Sequence, residues 1–173
     1  LPLTRAPEQP GQDPRPMTRT KARTAHLMAS PDDVEAQFYD ALREADRCLQ
    51  CADEPCVRGC PVGIDIPGFI QKIVEKHYHG AYDILTDTNL LPSICGRVCP
   101  QENQCEGVCT VGDTLEPVAI GRLERFIGDM AIKEGWANIP YIEPSGHRVG
   151  IVGAGPAGMA CAADMAKAGC DVT

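Results

Sequence analysis

An all-α domain, followed by the opening strand and helix of an α/β unit, is the architecture the sequence predicts, and three observations predict it. Apolar residues up to position 130 recur at helical spacing, and no segment before residue 147 alternates as a strand should. Eight of the ten cysteines fall in two groups of four, Cys48, Cys51, Cys56 and Cys60, then Cys95, Cys99, Cys105 and Cys109. Residues 147–173 read differently, as an apolar run, a glycine-rich turn and a second helical stretch.

Residues 1–30 hold Pro, Thr and Arg without a sustained apolar period, which predicts an extended arm whose charges Arg15, Arg19, Lys21 and Arg23 are solvated. After Ser30-Pro31-Asp32 the residues Val34, Phe38, Leu42, Ala45 and Leu49 mark one face of a helix, with Ser30 or Asp32 as its cap. Its last turn is expected to carry Cys48 and Cys51. A second helix starts at Ile66-Pro67, with Pro suited to a first turn, and runs through Phe69, Ile70, Ile73 and Val74 towards Gly80. A shorter one covers Ala81 to Thr88. Both carry apolar faces and no metal-ligand chemistry, so they are assigned to the core between the cysteine groups. After Pro117, the residues Val118, Ile120, Leu123, Phe126, Ile127 and Met130 predict a closing helix that ends near Gly135. Residues 31–143 thus read as one helical domain.

Composition limits the function. The chain has 173 residues, 43% of them hydrophobic, which suits a folded core. A formal net charge of −8 excludes general nucleic-acid binding, which needs a cationic surface. With Leu1 to Pro16 rich in Pro and Gln, no signal peptide is expected at the start. The uncharged run from Val149 to Ala163 is too short and too rich in Gly and Ala to cross a bilayer. A cytoplasmic protein, bound to no membrane, is expected.

In a reducing compartment such cysteine density points to metal rather than to disulfides. A [4Fe–4S] cube offers four iron corners, each suited to a soft thiolate. Cys48-x2-Cys51-x4-Cys56 forms a loop of the right kind, and the run ends x3-Cys60-Pro61. That ending matches the two-cluster ferredoxin run, in which the last Cys before Pro ligates the other cluster. Cys109 is the natural replacement, so cluster one is assigned to Cys48, Cys51, Cys56 and Cys109. Cluster two takes Cys60, Cys99 and Cys105 and needs a fourth ligand, for which counting nominates Cys95. Cys95 and Cys99, and Cys105 and Cys109, share a helical face wherever their segments are helical. Zinc is the competing reading, but its usual pairing of C-x2-4-C knuckles across a longer loop is a poorer match. His26, His77, His79 and His147 lack the spacing of a ligand set, and the pair at 77 and 79 suits a solvated helix terminus.

The last segment reads as a buried strand, Arg148 to Val152, then Gly153-Ala-Gly155-Pro156-Ala157-Gly158, then a helix from Pro156 to Ala168 ended by Gly169. A glycine-rich turn between strand and helix is the context of a Rossmann-like dinucleotide site, where the backbone approaches a pyrophosphate at a helix N-terminus. Cys161 and Cys170 are expected as small buried hydrophobes. The ribose-binding acid of such a unit would lie past Thr173, so residues 147–173 read as its incomplete start. They are expected to be disordered, or held by contacts that a full-length protein would not use.

Arg47-Cys-Leu-Gln-Cys51, Cys56-x3-Cys-Pro61, Cys95-Gly-Arg-Val-Cys-Pro100, Cys105-Glu-Gly-Val-Cys109, Ala119-Ile-Gly-Arg-Leu-Glu-Arg-Phe126 and Val152-Gly-Ala-Gly-Pro-Ala-Gly158 together resemble the N-terminal region of the glutamate synthase small (beta) subunit family. Its relatives include the N-terminal part of dihydropyrimidine dehydrogenase and the large subunit of the NADH-dependent ferredoxin:NADP oxidoreductase. The resemblance runs from about Ala45 to the end. It implies an α-helical ferredoxin-like, two-cluster domain ahead of nucleotide-binding domains for FAD and NADPH. It further implies that NADPH reduces FAD and that electrons cross the clusters to a large glutamate synthase-like subunit or another redox partner, with the fragment alone inactive. In pyrimidine dehydrogenases one cluster takes a Gln from the helix after the last Cys, and the matching position here is Glu124. By the resemblance Glu124 is preferred to Cys95 as fourth ligand, against the plain reading of a solvated Glu between Arg122 and Arg125. Two other functions compete. One is the front end of a pyrimidine-reducing or electron-bifurcating flavoprotein, from which Ile-Gly-Arg-Leu-Glu in place of a Gln version leans away. The other is a structural zinc-binding docking module.

Overall fold

The computed structural model describes residues 34–136 and 141–173. The expected arm and the cap at Ser30 or Asp32 lie outside these residues. The chain divides into two compact units, Leu1–Phe38 and Tyr39–Thr173, and the packing below belongs to the second. Among the described residues six helices come first, α1 (Val34–Ala45), α2 (Pro55–Gly59), α3 (Ile66–Val74), α4 (Tyr78–Thr88), α5 (Pro92–Val98) and α6 (Ile120–Glu134). Single 3-10 turns occur at Gln101–Asn103 and Thr110–Asp113. Then follow β1 (Arg148–Val149), α7 (Pro156–Lys167) and β2 (Asp171–Val172), whose strands pair in parallel with Arg148 opposite Asp171 and Val149 opposite Val172. Among the described residues no strand precedes Arg148, and no helix is long and apolar enough to cross a membrane.

The core forms where α3, α4 and α6 turn their apolar faces inward. Phe69, Ile70 and Ile73 of α3, Ala81 and Leu85 of α4, and Leu123 and Ile127 of α6 are buried together. Asp65 starts α3 by accepting the Gly68 N–H at 2.9 Å, with Pro67 in the first turn. The sequence reading carried this helix to Gly80, but it stops at Val74. Lys76 adopts a left-handed φ of 58°. Lys76 N–H then bonds the Ile73 carbonyl at 2.9 Å and His77 N–H the Lys72 carbonyl at 2.8 Å, a Schellman ending made without glycine. The next helix therefore begins at Tyr78 rather than Ala81, and Gly80 lies inside it. Helix α1 also ends early, at Ala45, so Cys48 and Cys51 sit in the loop beyond it rather than in its last turn.

Helices α5 and α6 meet backbone to backbone. A Cβ on Gly96 would fall 2.6 Å from the Gly121 carbonyl oxygen, and one on Gly128 would fall 2.4 Å from the Ser93 nitrogen. Arg97 clamps the pair by two bonds of 2.7 Å to the carboxylate of Asp129. Both ends of this ion pair are partly solvated, so it sets register more than it adds stability. At its start α6 has no capping side chain of its own. Its free amides are met from afar, Ala119 N–H by Glu44 Oε1 at 2.7 Å and Gly121 N–H by Glu106 Oε1 at 3.1 Å. The far end closes as the sequence predicts, on Gly135 at a φ of 68°.

Residues 147–173 form β1, α7 and β2, which is not the disorder that was one of the two expectations for them. Lys167 Nζ reaches the Thr86 carbonyl at 3.3 Å, and Ser145 N–H bonds the Gly169 carbonyl at 2.8 Å. The expected buried strand over 148–152 shrinks to a two-residue pairing, and Val152 is fully exposed. Cys161 is exposed and Cys170 half-buried, where burial was expected. The reason is the same for all three, because one helix over two short strands has no second layer to cover it.

Gly128→Ala should cost about 1–3 kcal/mol, since the new methyl meets backbone that cannot rotate away. Gly112→Ala, whose carbon would meet Pro117 at an ordinary 3.5 Å, should change little. Denaturant unfolding of the two variants checks the difference.

Candidate functional site

Cys48 and Cys51 lie in the loop after α1, which Gln50 turns sharply at a φ of 50°. Cys56 follows on α2, which Pro55 opens after Glu54 adopts a left-handed conformation. Cys109 comes from far along the chain, as the residue that caps the 3-10 turn Thr110–Asp113. These four cysteines line one cavity, walled by Ile66, Ile70 and Val118. Gln50 Nε2 donates to the Pro67 carbonyl at 3.1 Å and lies 3.6 Å from Cys48 Sγ, and Cys51 Sγ lies 3.5 Å from Thr110 Oγ1. Burial pushes the Cys48 thiol up, with Cys109 and Cys51 adding to the effect. Burial likewise lifts Cys56 to about 11, with Cys48 and Cys109 pushing the same way.

Cys60 leaves this group. It ends α2 in an extended conformation, one residue after Gly59, where a Cβ would fall 2.7 Å from Val108 Cγ2 and 3.0 Å from the Gln104 carbonyl. Only a glycine lets the two cysteine stretches touch here. Cys60 then acts electrostatically on Cys95, Cys99 and Cys105. Cys95 belongs to α5, and Cys99 ends that helix with its N–H on the Cys95 carbonyl at 3.0 Å. Cys105 is buried in the turn that follows. Residues 105–109 form turns, so the shared helical face considered for Cys105 and Cys109 does not exist.

Glu124 completes this second gathering from α6. It is 6% exposed, which overturns the plain reading of a solvated side chain. Burial raises its carboxyl to about 7, against a lowering hydrogen bond from Asn89 Nδ2 at 2.6 Å. Its charge raises Cys95, Cys99 and Cys105 in turn, but burial is the larger cause for each; Cys99 stands at about 11 and Cys105 at about 12.

Sets of thiols that oppose each other's ionisation are costly to deprotonate alone, and a multinuclear cationic core removes that cost. Among the described residues no three His, Cys, Asp or Glu donors converge on a point suited to one ion. The first four sulfurs stand around an apolar cavity instead, and soft donors around a shared space suit an iron–sulfur cube. Sequence reasoning missed Asn89, Gln50, Glu44 and Glu106. The available signals were an Asn at a helix end and a Gln between two cysteines.

The glycine-rich turn lies apart. Gly153 takes a φ of 113°, Gly155 caps α7, and Pro156 and Ala157 open that helix. A Cβ on Gly158 would fall 2.0 Å from the Gly153 carbonyl oxygen, so the turn closes on itself only with glycine there. These residues are exposed or half-exposed.

Over residues 29–136 the chain matches the family described as dihydropyrimidine dehydrogenase domain II, 4Fe-4S cluster. It is 42% identical over 130 residues to the NADPH glutamate synthase small chain of Escherichia coli, covering 75% of this chain and 28% of that one. It is 38% identical over 133 residues to the NAD-dependent dihydropyrimidine dehydrogenase subunit PreT of Escherichia coli, covering 77% and 32%. With the NADH glutamate synthase of Saccharomyces cerevisiae the identity is 42% over 137 residues, covering 78% and 6%. The chain thus spans under a third of the length of these relatives.

The raised carboxyl of Glu124 makes the metal-free protein sensitive to pH. Below the unfolded value near 4.5 both states hold the proton and folding carries no penalty. As pH climbs to about 7 the unfolded chain releases its proton first, so stability is lost over that window, by roughly 3 kcal/mol in all. Glu124→Gln should flatten the trend. Urea unfolding of metal-free protein at pH 5 and pH 7.5 measures it, and parallel losses in both proteins would refute the assignment.

Proposed function

Because the chain belongs to the dihydropyrimidine dehydrogenase domain II, 4Fe-4S cluster family, we propose that it is the electron relay of an NADPH-dependent, glutamate synthase small-chain-like oxidoreductase. In this reading Cys48, Cys51, Cys56 and Cys109 hold one [4Fe–4S] cluster, and Cys60, Cys99, Cys105 and Glu124 hold a second. The observation that carries it is the exchange between the two stretches, Cys109 joining the first group around its cavity and Cys60 joining the second.

A cube changes charge by one electron, which lets it link a two-electron flavin to a one-electron path. The rest is the work of the polypeptide. Ile66, Ile70 and Val118 give the first group an apolar wall, and the Gln50 amide beside Cys48 stabilises negative charge on that sulfur. A carboxylate at Glu124 is a harder donor than sulfur and gives the second group a different potential. Gly153, Gly155, Pro156, Ala157 and Gly158 would open a Rossmann-like unit for FAD or NAD(P). The partner in this reading is a large glutamate synthase-like subunit in the cytoplasm, and the chain alone has no catalytic activity.

The match to a dihydropyrimidine dehydrogenase subunit favours a second reading, the same relay serving pyrimidine reduction with NAD. Electron delivery by the complete protein from NADPH or NADH, to glutamate synthesis or to uracil, separates the two. Zinc is the weaker alternative, because the family matched is described by a 4Fe-4S cluster and the cysteine spacing fits paired C-x2-4-C knuckles poorly.

Anaerobically purified protein should contain about eight iron and eight sulfide per chain and show two overlapping electron paramagnetic resonance signals when reduced. Cys109→Ser should abolish one signal and Cys60→Ser the other. Stoichiometric zinc without iron would sink the proposal.

A further inference from the structure

Asn89 and Glu124 are the two buried polar side chains of the core among the described residues, at 7% and 6% exposure, and they are bonded to each other. Asn89 ends α4, with its own N–H on the Leu85 carbonyl at 3.0 Å. Its Oδ1 accepts the Leu91 N–H at 3.0 Å, an Asx turn two residues long. A backbone N–H can only donate, so this bond settles which end of the amide is oxygen. The NH2 therefore faces Glu124 and donates to Oε1 at 2.6 Å. The same Oδ1 lies 3.4 Å from Cys95 Sγ, and a sulfur bonded to an amide oxygen must supply the proton itself.

We propose that Asn89 is a positioning residue that selects between two candidate donors, holding the Glu124 carboxylate by one oxygen towards Cys60, Cys99 and Cys105 while retaining Cys95 as a hydrogen-bonded thiol. The inference rests on the reading of Glu124 as a cluster ligand given above and deepens it. Asn89 suits the task because its turn with Leu91 locks the side chain before any metal arrives. With Oε1 engaged, Oε2 is the oxygen left for iron. Cys95 is near enough to compete, and the bond to Oδ1 gives its sulfur another occupation. Two opposed demands thus meet on one amide, a donor for the carboxylate and an acceptor for the thiol.

The test uses the full chain, loaded anaerobically with ferrous iron and sulfide, and reads iron retention against a chelator and the resonance signals of the reduced protein. Asn89→Ser keeps an acceptor for Leu91 but is too short to reach Glu124, and Asn89→Asp keeps the turn but sets a negative oxygen against the carboxylate. Both should weaken iron retention at the second cluster about 10-fold or more and shift its signal, leaving the first signal intact. Cys95→Ala should leave both signals in place, and Asn89→Ser combined with Glu124→Gln should be no worse than Glu124→Gln alone. If Glu124→Gln shifts the second signal and the Asn89 variants do not, Asn89 has no positioning role and the ligand reading stands. If Cys95→Ala removes the second signal and Glu124→Gln does not, the ligand reading falls and the inference falls with it. Loss of both signals together in the Asn89 variants, with circular dichroism intact or not, marks a purely structural role and overturns the proposal.

Discussion

The uncapped, buried amides at the start of α6 are the constraint on which the rest of the molecule depends. A helix without its own cap leaves N–H groups that must find acceptors, and here Glu44 and Glu106 supply them. Glu44 lies four residues before Cys48, and Glu106 lies between Cys105 and Cys109, so both cysteine stretches are tied to one helix end. Glu44 also holds Arg47, whose guanidinium reaches the Glu116 carbonyl. The same helix presents Glu124 one turn further on. Two loops with little regular structure thereby take their positions from a single rigid element.

Burial and charge pull against each other in this arrangement. Thiols raised to about 11 and 12 and a carboxyl raised to about 7 show that the folded chain resists carrying negative charge where its donors gather. A bound cationic core would reverse that balance, so that loading and folding would reinforce each other. The core from α3, α4 and α6 stands beside the donors and supplies the apolar walls, which is why two helices with no ligand of their own occupy the interval between the cysteine groups.

Much of this was legible in the residues. Helical periodicity located α3 and α6, and glycine marked the ends of α6 and α7, because a left-handed residue at a helix end is usually glycine. The break at Lys76 was hidden for the same reason, since lysine there carries no such signal. Cysteine spacing raised the exchange of Cys60 and Cys109. The roles of Glu44 and Glu106 could not be read, because each partner is remote in the chain, and Asn89 was legible as a helix-end residue but not as the partner of Glu124. The burial of Glu124 was obscured by its neighbours Arg122 and Arg125, which suggest a wet face until the helix is packed. The strand at Arg148 to Val152 failed differently, its apolar run being written for a layer that two short strands do not provide.

Helix α2 is barely more than one turn long, yet it begins beside one donor group and ends at the other, with Cys56 and Cys60 four residues apart. At about 1.5 Å of rise per residue, that turn is a ruler on the order of 6 Å long between the two groups. The turns from Cys105 to Cys109 make a second strap of the same residue count. If each group holds a cluster, as proposed, the gap between them would be spanned twice by covalent chain, and their separation would be held against the breathing of the surrounding helices.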